Sequence, residues 1–209
     1  GYVIGETMFP YPYYNGKWNK DGHRVGELGY GYNGWFKNKI NKLKYYETEK
    51  SLYLEFPVFK SNCMPEVFDI IQNSKKNNIV INIACNSGGH LDFEEKIVDD
   101  VLAKYNTIYI MTDGNTGSMA DKFAFDMKNN GAILVGKPTK GAYMTASFDY
   151  YDEIFELSNI TISLKFSARN KFTSMPEGTG IMPHYFTEDE NDALEIIKII
   201  SGDKELYLP

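Results

Sequence analysis

Ser118 follows a glycine and opens an apolar-periodic segment, Gly117-Ser118-Met119-Ala120-Asp121-Lys122-Phe123-Ala124. A serine in that position has two uses. It can cap a helix by accepting a hydrogen bond from the helix's unpaired first-turn N–H groups. It can also be a nucleophile presented by a tight turn, with the next N–H, that of Met119, donating to the oxyanion formed on attack. A second glycine-rich stretch, Asn86-Ser87-Gly88-Gly89, also ends a strand-like run. Adjacent N–H groups at Gly88 and Gly89, unobstructed by Cβ atoms, suit an anion-binding nest. An ordinary strand-to-helix turn is the plainer reading of the same residues. The chain holds three histidines, His23, His90 and His184, any of which has the chemistry of a general base. Gly131 to Lys137 satisfies the phosphate-loop spacing, but Pro138 replaces the Ser/Thr and the intervening residues read as a strand, so that reading fails.

Composition removes several other classes. The net charge is −6 over 209 residues, with no Lys/Arg run, so nothing attracts nucleic acid. Two cysteines, Cys63 and Cys85, make neither a zinc site nor a disulfide framework, and Cys85 reads as a small buried residue in an apolar strand. No apolar run reaches the length of a membrane helix. Gly1 to Ile4 does not look like a signal peptide, and a start at Gly1 rather than Met is expected of a processed or excised chain.

The elements that must position Ser118 can be read from periodicity. Leu52, Leu54 and Phe56 alternate, as in a strand with one buried face. Residues 65–74 have helical spacing. Ile79 to Ala84 is a β-branched run typical of a strand buried on both faces. Phe93, Ile97, Val98, Val101 and Leu102 mark an amphipathic helix. A strand over 107–111, a loop over 113–117, a helix from Ser118 and a strand over 132–135 follow. Successive strand–helix–strand units imply a mostly parallel sheet with right-handed crossovers. Ser147–Glu156 and Ile160–Phe166 read as paired strands, and a last helix spans about 189–200. Residues 1–48, rich in glycine and aromatics, read as a short-stranded or irregular N-terminal region, and 49–209 as the core.

Four segments, in order and spacing, resemble the tail-specific protease family (peptidase family S41), which includes C-terminal processing and tricorn-type peptidases. Val80–Gly89 is similar to its strand and turn D-L-R-x-N-x-G-G. Gly117–Ala124 is similar to its nucleophile segment S-x-x-[ED]-x-[FV]-A. Gly131–Thr139 is similar to G-x-x-x-[LV]-V-G-x-x-T, and Glu177–His184 to G-x-G-[VI]-x-P-D. The resemblance covers roughly residues 50–200. It implies an α/β fold of the ClpP/crotonase-like type, with a mostly parallel sheet and flanking helices. It makes Ser118 the nucleophile, with Gly88, Gly89 and Met119 as oxyanion donors. The Ser–Lys branch of the family places its lysine where Ala142 stands here. Lys140 lies two residues early, a displacement of about 7 Å on extended chain. The tricorn-like branch uses Ser, His and Glu, and Glu177 occupies the glutamate's place. Asp21-Gly22-His23 matches the family's base segment, so His23 is the expected base. His90 stands off that position, and His184, in place of the usual aspartate, reads as structural. Asn82 and Ala84 replace the family's acid and arginine.

The function expected on this resemblance is a serine-type peptidase acting on polypeptides, without metal or cofactor and on the extracytoplasmic or envelope side. The competing expectation is a non-catalytic module holding peptides or a lipophile on the same fold. An acyl-CoA enzyme of crotonase type is the third.

Overall fold

A computed structural model of the chain describes residues 42–142 and 179–209 throughout, together with four strands outside them: β1 (Lys17–Trp18), β2 (Arg24–Val25), β8 (Asp149–Phe155) and β9 (Ile160–Phe166). The pairs β1–β2 and β8–β9 are antiparallel.

The central sheet has six strands. β3 (Lys44–Glu47) and β4 (Ser51–Glu55) form an antiparallel hairpin. From β4 the chain steps in one direction through β5 (Asn78–Asn82), β6 (Thr107–Thr112) and β7 (Ile133–Gly136), each parallel to the last. β10 (Tyr185–Phe186) adds in parallel outside β7. The crossovers are α1 (Met64–Asn73), α2 (Leu91–Lys104) and α3 (Met119–Asn129), and α4 (Glu190–Ser201) follows β10.

Stepping one way across a sheet with crossovers of one hand puts every crossover helix on one face. The core follows that rule. Leu52, Leu54, Ile79, Ile81, Ile110 and Leu134 meet Val67 and Ile71 of α1, Ile97 and Val101 of α2, and Phe123 and Met127 of α3. On the other face Tyr53, Val80, Tyr109, Met111 and Val135 meet Ala193, Leu194 and Ile197 of α4, with Leu206. Burial of each Val, Leu, Ile, Phe or Met among them stabilises by about 1.5–3 kcal/mol. Helix ends follow local chemistry. Asp189 caps α4 by accepting from the Asp192 N–H at 2.9 Å, and Gly202, at φ 67°, closes it.

The elements foreseen over 49–136 are present, with three differences. β4 is buried on both faces rather than one, because α4 and Leu206 cover its second side. β5 ends at Asn82, earlier than its apolar run, because the Asn82 Oδ1 accepts the Ala84 N–H at 3.0 Å and turns the chain. Cys85 is therefore in the turn, half-buried at φ 64°, and not in the strand. The edge strands β3 and β10 were not foreseen.

Candidate active site

Three loops meet at the carboxyl ends of β5, β6 and β7. Asp113 organises the loop after β6: its Oδ1 accepts the N–H groups of Cys85 (2.8 Å), Asn115 (3.0 Å) and Thr116 (3.0 Å). The Thr116 hydroxyl accepts from the Asp113 N–H and donates to the Ile83 carbonyl, which ties this loop to the one after β5. Buried Asn86 completes the tie. Its amide donates to the Phe56 carbonyl at 3.0 Å, its Oδ1 accepts the Gly88 N–H at 2.9 Å, and its carbonyl accepts the Gly117 N–H at 3.0 Å. The loop after β7 joins through the Lys140 N–H on the Thr116 carbonyl (2.8 Å) and the Gly141 N–H on Asp121 Oδ1 (2.9 Å).

This lattice delivers Ser118 in an uncommon conformation. Ser118 sits at φ 56°, ψ −122°, immediately before α3, and its side chain makes no capping hydrogen bond. A non-glycine residue in that region costs about 1–3 kcal/mol and persists only where its surroundings impose it. The cap that would reward a serine here is not made. Ser118 is exposed, while Gly117 and Ala120 beside it are buried.

Gly88 packs directly on the serine. A Cβ at Gly88 would stand 2.6 Å from Met119 N, 2.7 Å from Ser118 Cβ and 2.9 Å from the Gly117 carbonyl oxygen, and its φ is 92°. Only glycine permits this approach. Gly89 is fixed from its other side. The Phe59 N–H donates to the Gly88 carbonyl (2.9 Å) and the His90 N–H to the Phe59 carbonyl (2.8 Å), a short parallel bridge. In such a bridge the N–H of the middle residue points to the opposite edge. Among the described residues neither the Gly89 N–H nor the first-turn N–H of Met119 has an acceptor. The Gly88 N–H is already engaged by Asn86, so of the two glycines only Gly89 has an N–H without an acceptor among the described residues.

The partners of Ser118 divide differently. His23 and Glu177 lie outside the described residues. His90 is exposed, with its ring edge-on to Phe93 at 5.9 Å. His184 is tied to the sheet, its Nδ1 accepting the Leu134 N–H at 3.0 Å, and burial holds its pKa below the usual value. The Lys140 side chain lies over Gly117: a Cβ on that glycine would meet Lys140 Cδ at 3.2 Å.

Sequence reasoning singled out the loops but not Asn86, Asp113 and Thr116, which join them. Asp113-Gly114-Asn115-Thr116 does contain a signal, an acid followed by turn residues whose N–H groups it can accept. Asp121, in the first turn of α3, is buried, and this pushes its carboxyl up to about 6 against hydrogen bonds from Thr139 and from neighbouring backbone. Asn82, which replaces the family's acid, is also buried and donates to Tyr53 and Glu190. Among the described residues no group of His, Cys, Asp and Glu is placed to hold a metal, and no helix is long and apolar enough to cross a membrane.

No family model and no curated protein matches the sequence. Solved structures do match the fold. A protein assigned to the S41 proteases from Bacteroides fragilis NCTC 9343 is 15% identical at a TM-score of 0.53, over 77% of this chain and 57% of that one. A protein described as a peptidase from Parabacteroides merdae ATCC 43184 is 14% identical at 0.54, over 83% and 66%. The tricorn protease is 17% identical at 0.50, over 73% of this chain and 17% of that one. The chain has the fold of the S41 proteases: an α/β core of six mostly parallel strands flanked by helices. It spans less than two thirds of the length of the two bacterial structures.

Proposed function

We propose that the protein is a serine-type peptidase acting on polypeptides, with Ser118 as nucleophile. The observation that carries this is the turn itself: an exposed, uncapped serine in a costly conformation, beside two N–H groups without acceptors among the described residues. In the proposed reaction Ser118 Oγ attacks the scissile carbonyl, and the Gly89 and Met119 N–H groups receive the developing negative charge. Such donors contribute most where charge appears only in the transition state. His23 takes the serine proton, and Glu177 orients the imidazole and stabilises its charged form. The peptidases among the structural neighbours agree with this reading.

A fluorophosphonate probe tests it. Labelling of the wild-type protein that disappears in Ser118→Ala supports the nucleophile, and a folded wild-type protein that never labels favours the inert binding module. One observation supports a second base. The Lys140 side chain packs on the residue preceding Ser118, its Cδ 3.2 Å from where a Gly117 Cβ would stand. His23→Gln removes labelling if histidine is the base, and Lys140→Met removes it if lysine is.

A further inference from the structure

Glu94 and Lys122 are buried charges that the reaction above does not use. Lys122 Nζ lies 2.5 Å from Glu94 Oε2 and 2.6 Å from Asp126 Oδ2, with the Glu94 side chain 0% and the Lys122 side chain 4% exposed. Glu94 Oε1 is buried with no hydrogen-bond partner among the described residues. As a stabilising device this is poor, because desolvation offsets most of the attraction and apolar replacements of such pairs are often neutral or better.

The placement of the pair is informative. Glu94 is in the first turn of α2, its N–H on the His90 carbonyl at 3.3 Å, just past Gly89. Lys122 is in the first turns of α3, its N–H on the Ser118 carbonyl at 3.3 Å, just past Met119. The ion pair thus joins the leading turns of the two helices whose entry loops bear the two unoccupied donors. Apolar packing between helices is non-directional and tolerates sliding. A short, hydrogen-bonded ion pair fixes both separation and rotation. The family's S-x-x-[ED]-x-[FV]-A pattern leaves the position of Lys122 open, so this pair belongs to this chain rather than to the motif.

We infer that Glu94 and Lys122 are positioning residues that hold the Gly89 and Met119 N–H groups at the spacing an oxyanion requires. This rests on the Ser118 reading above. The test is the second-order rate of Ser118 labelling by a fluorophosphonate, measured with thermal unfolding, in wild type, Glu94→Gln, Lys122→Met and the double variant Glu94→Leu/Lys122→Met. A displacement of the donors by about 1 Å slows reaction on the order of 100-fold, so all three variants are expected to label about 10- to 100-fold slower. The double variant separates positioning from stability better than either single change, because it removes both buried charges and leaves only the partly exposed Asp126 carboxylate without its lysine. It is expected to melt close to the wild-type temperature, and above Glu94→Gln and Lys122→Met, and still label slowly. Wild-type labelling rates in the folded double variant overturn the inference while leaving the Ser118 reading intact. Absence of labelling in wild type overturns both.

Discussion

Replacing Ser118 with glycine removes the proposed nucleophile and should make the protein more stable. The turn holds a non-glycine residue at φ 56°, ψ −122° with no side-chain capping hydrogen bond in return. Releasing that strain gains about 1–3 kcal/mol. The extra freedom of glycine in the unfolded chain gives back about 0.4–1 kcal/mol. The net expectation is a gain of about 0.5–2 kcal/mol, which for a chain of this length raises the melting temperature by about 2–6 °C. Ser118→Ala keeps the Cβ and loses no cap, so it should stay within about 0.5 kcal/mol of wild type. A helix-capping serine predicts the opposite pattern: alanine would cost about 1 kcal/mol and glycine a few tenths. Thermal and urea unfolding of the three proteins decides the matter. Glycine less stable than wild type, with alanine lower still, refutes the strained-turn argument.

Two further outcomes follow from the same loops. Gly88→Ala places a methyl 2.6 Å from Met119 N and 2.7 Å from Ser118 Cβ at φ 92°. It should destabilise by about 2–5 kcal/mol in urea unfolding, from the backbone penalty plus overpacking, and slow Ser118 labelling as the turn moves. Asp121 is held at about 6, above its ordinary 3.8, chiefly by burial. A carboxyl whose pKa is raised by folding favours the fold when protonated, so its contribution falls as pH rises from about 4 through 6 and is lowest above 6. The difference amounts to about 3 kcal/mol. Asp121→Asn keeps an acceptor for the Gly141 N–H, so its stability relative to wild type should rise by about that amount between pH 4 and pH 7. An unchanged difference in urea midpoint across that range counts against the assignment.

The parts of the fold that were legible are those written in side-chain period. The β-branched run of β5, the spacing of α2 and the strand–helix–strand order through β7 placed both loops at one end of the sheet. What was hidden depends on neighbours far away in sequence. β4 alternates like a half-buried strand, and nothing local reveals that α4 and Leu206 cover its other face. β10 is two residues long and has no period to read. At the site, glycine content pointed to Gly88 and Gly89, but the division of labour between them depends on Asn86, whose buried amide engages one N–H and leaves the next. Lys122 lies among Met119, Phe123 and Met127, and its residue type gives no local sign of burial. Its burial shows only when Glu94 arrives from α2. The backbone angle of Ser118 is a property of three loops and leaves no trace in residue type.

The conformation of Ser118 also bears on the choice between an enzyme and an inert relative. A module that only holds a ligand gains nothing from a hydroxyl at a left-handed position, and glycine there would give the same chain path at lower cost. Each turn bond that fixes this residue, from Asp113, Thr116 and Asn86, works against the serine's own preference. The chain retains the costlier side chain at a point where the loops accommodate it poorly, as expected if the hydroxyl, rather than the path of the backbone, is what the loops are built to present.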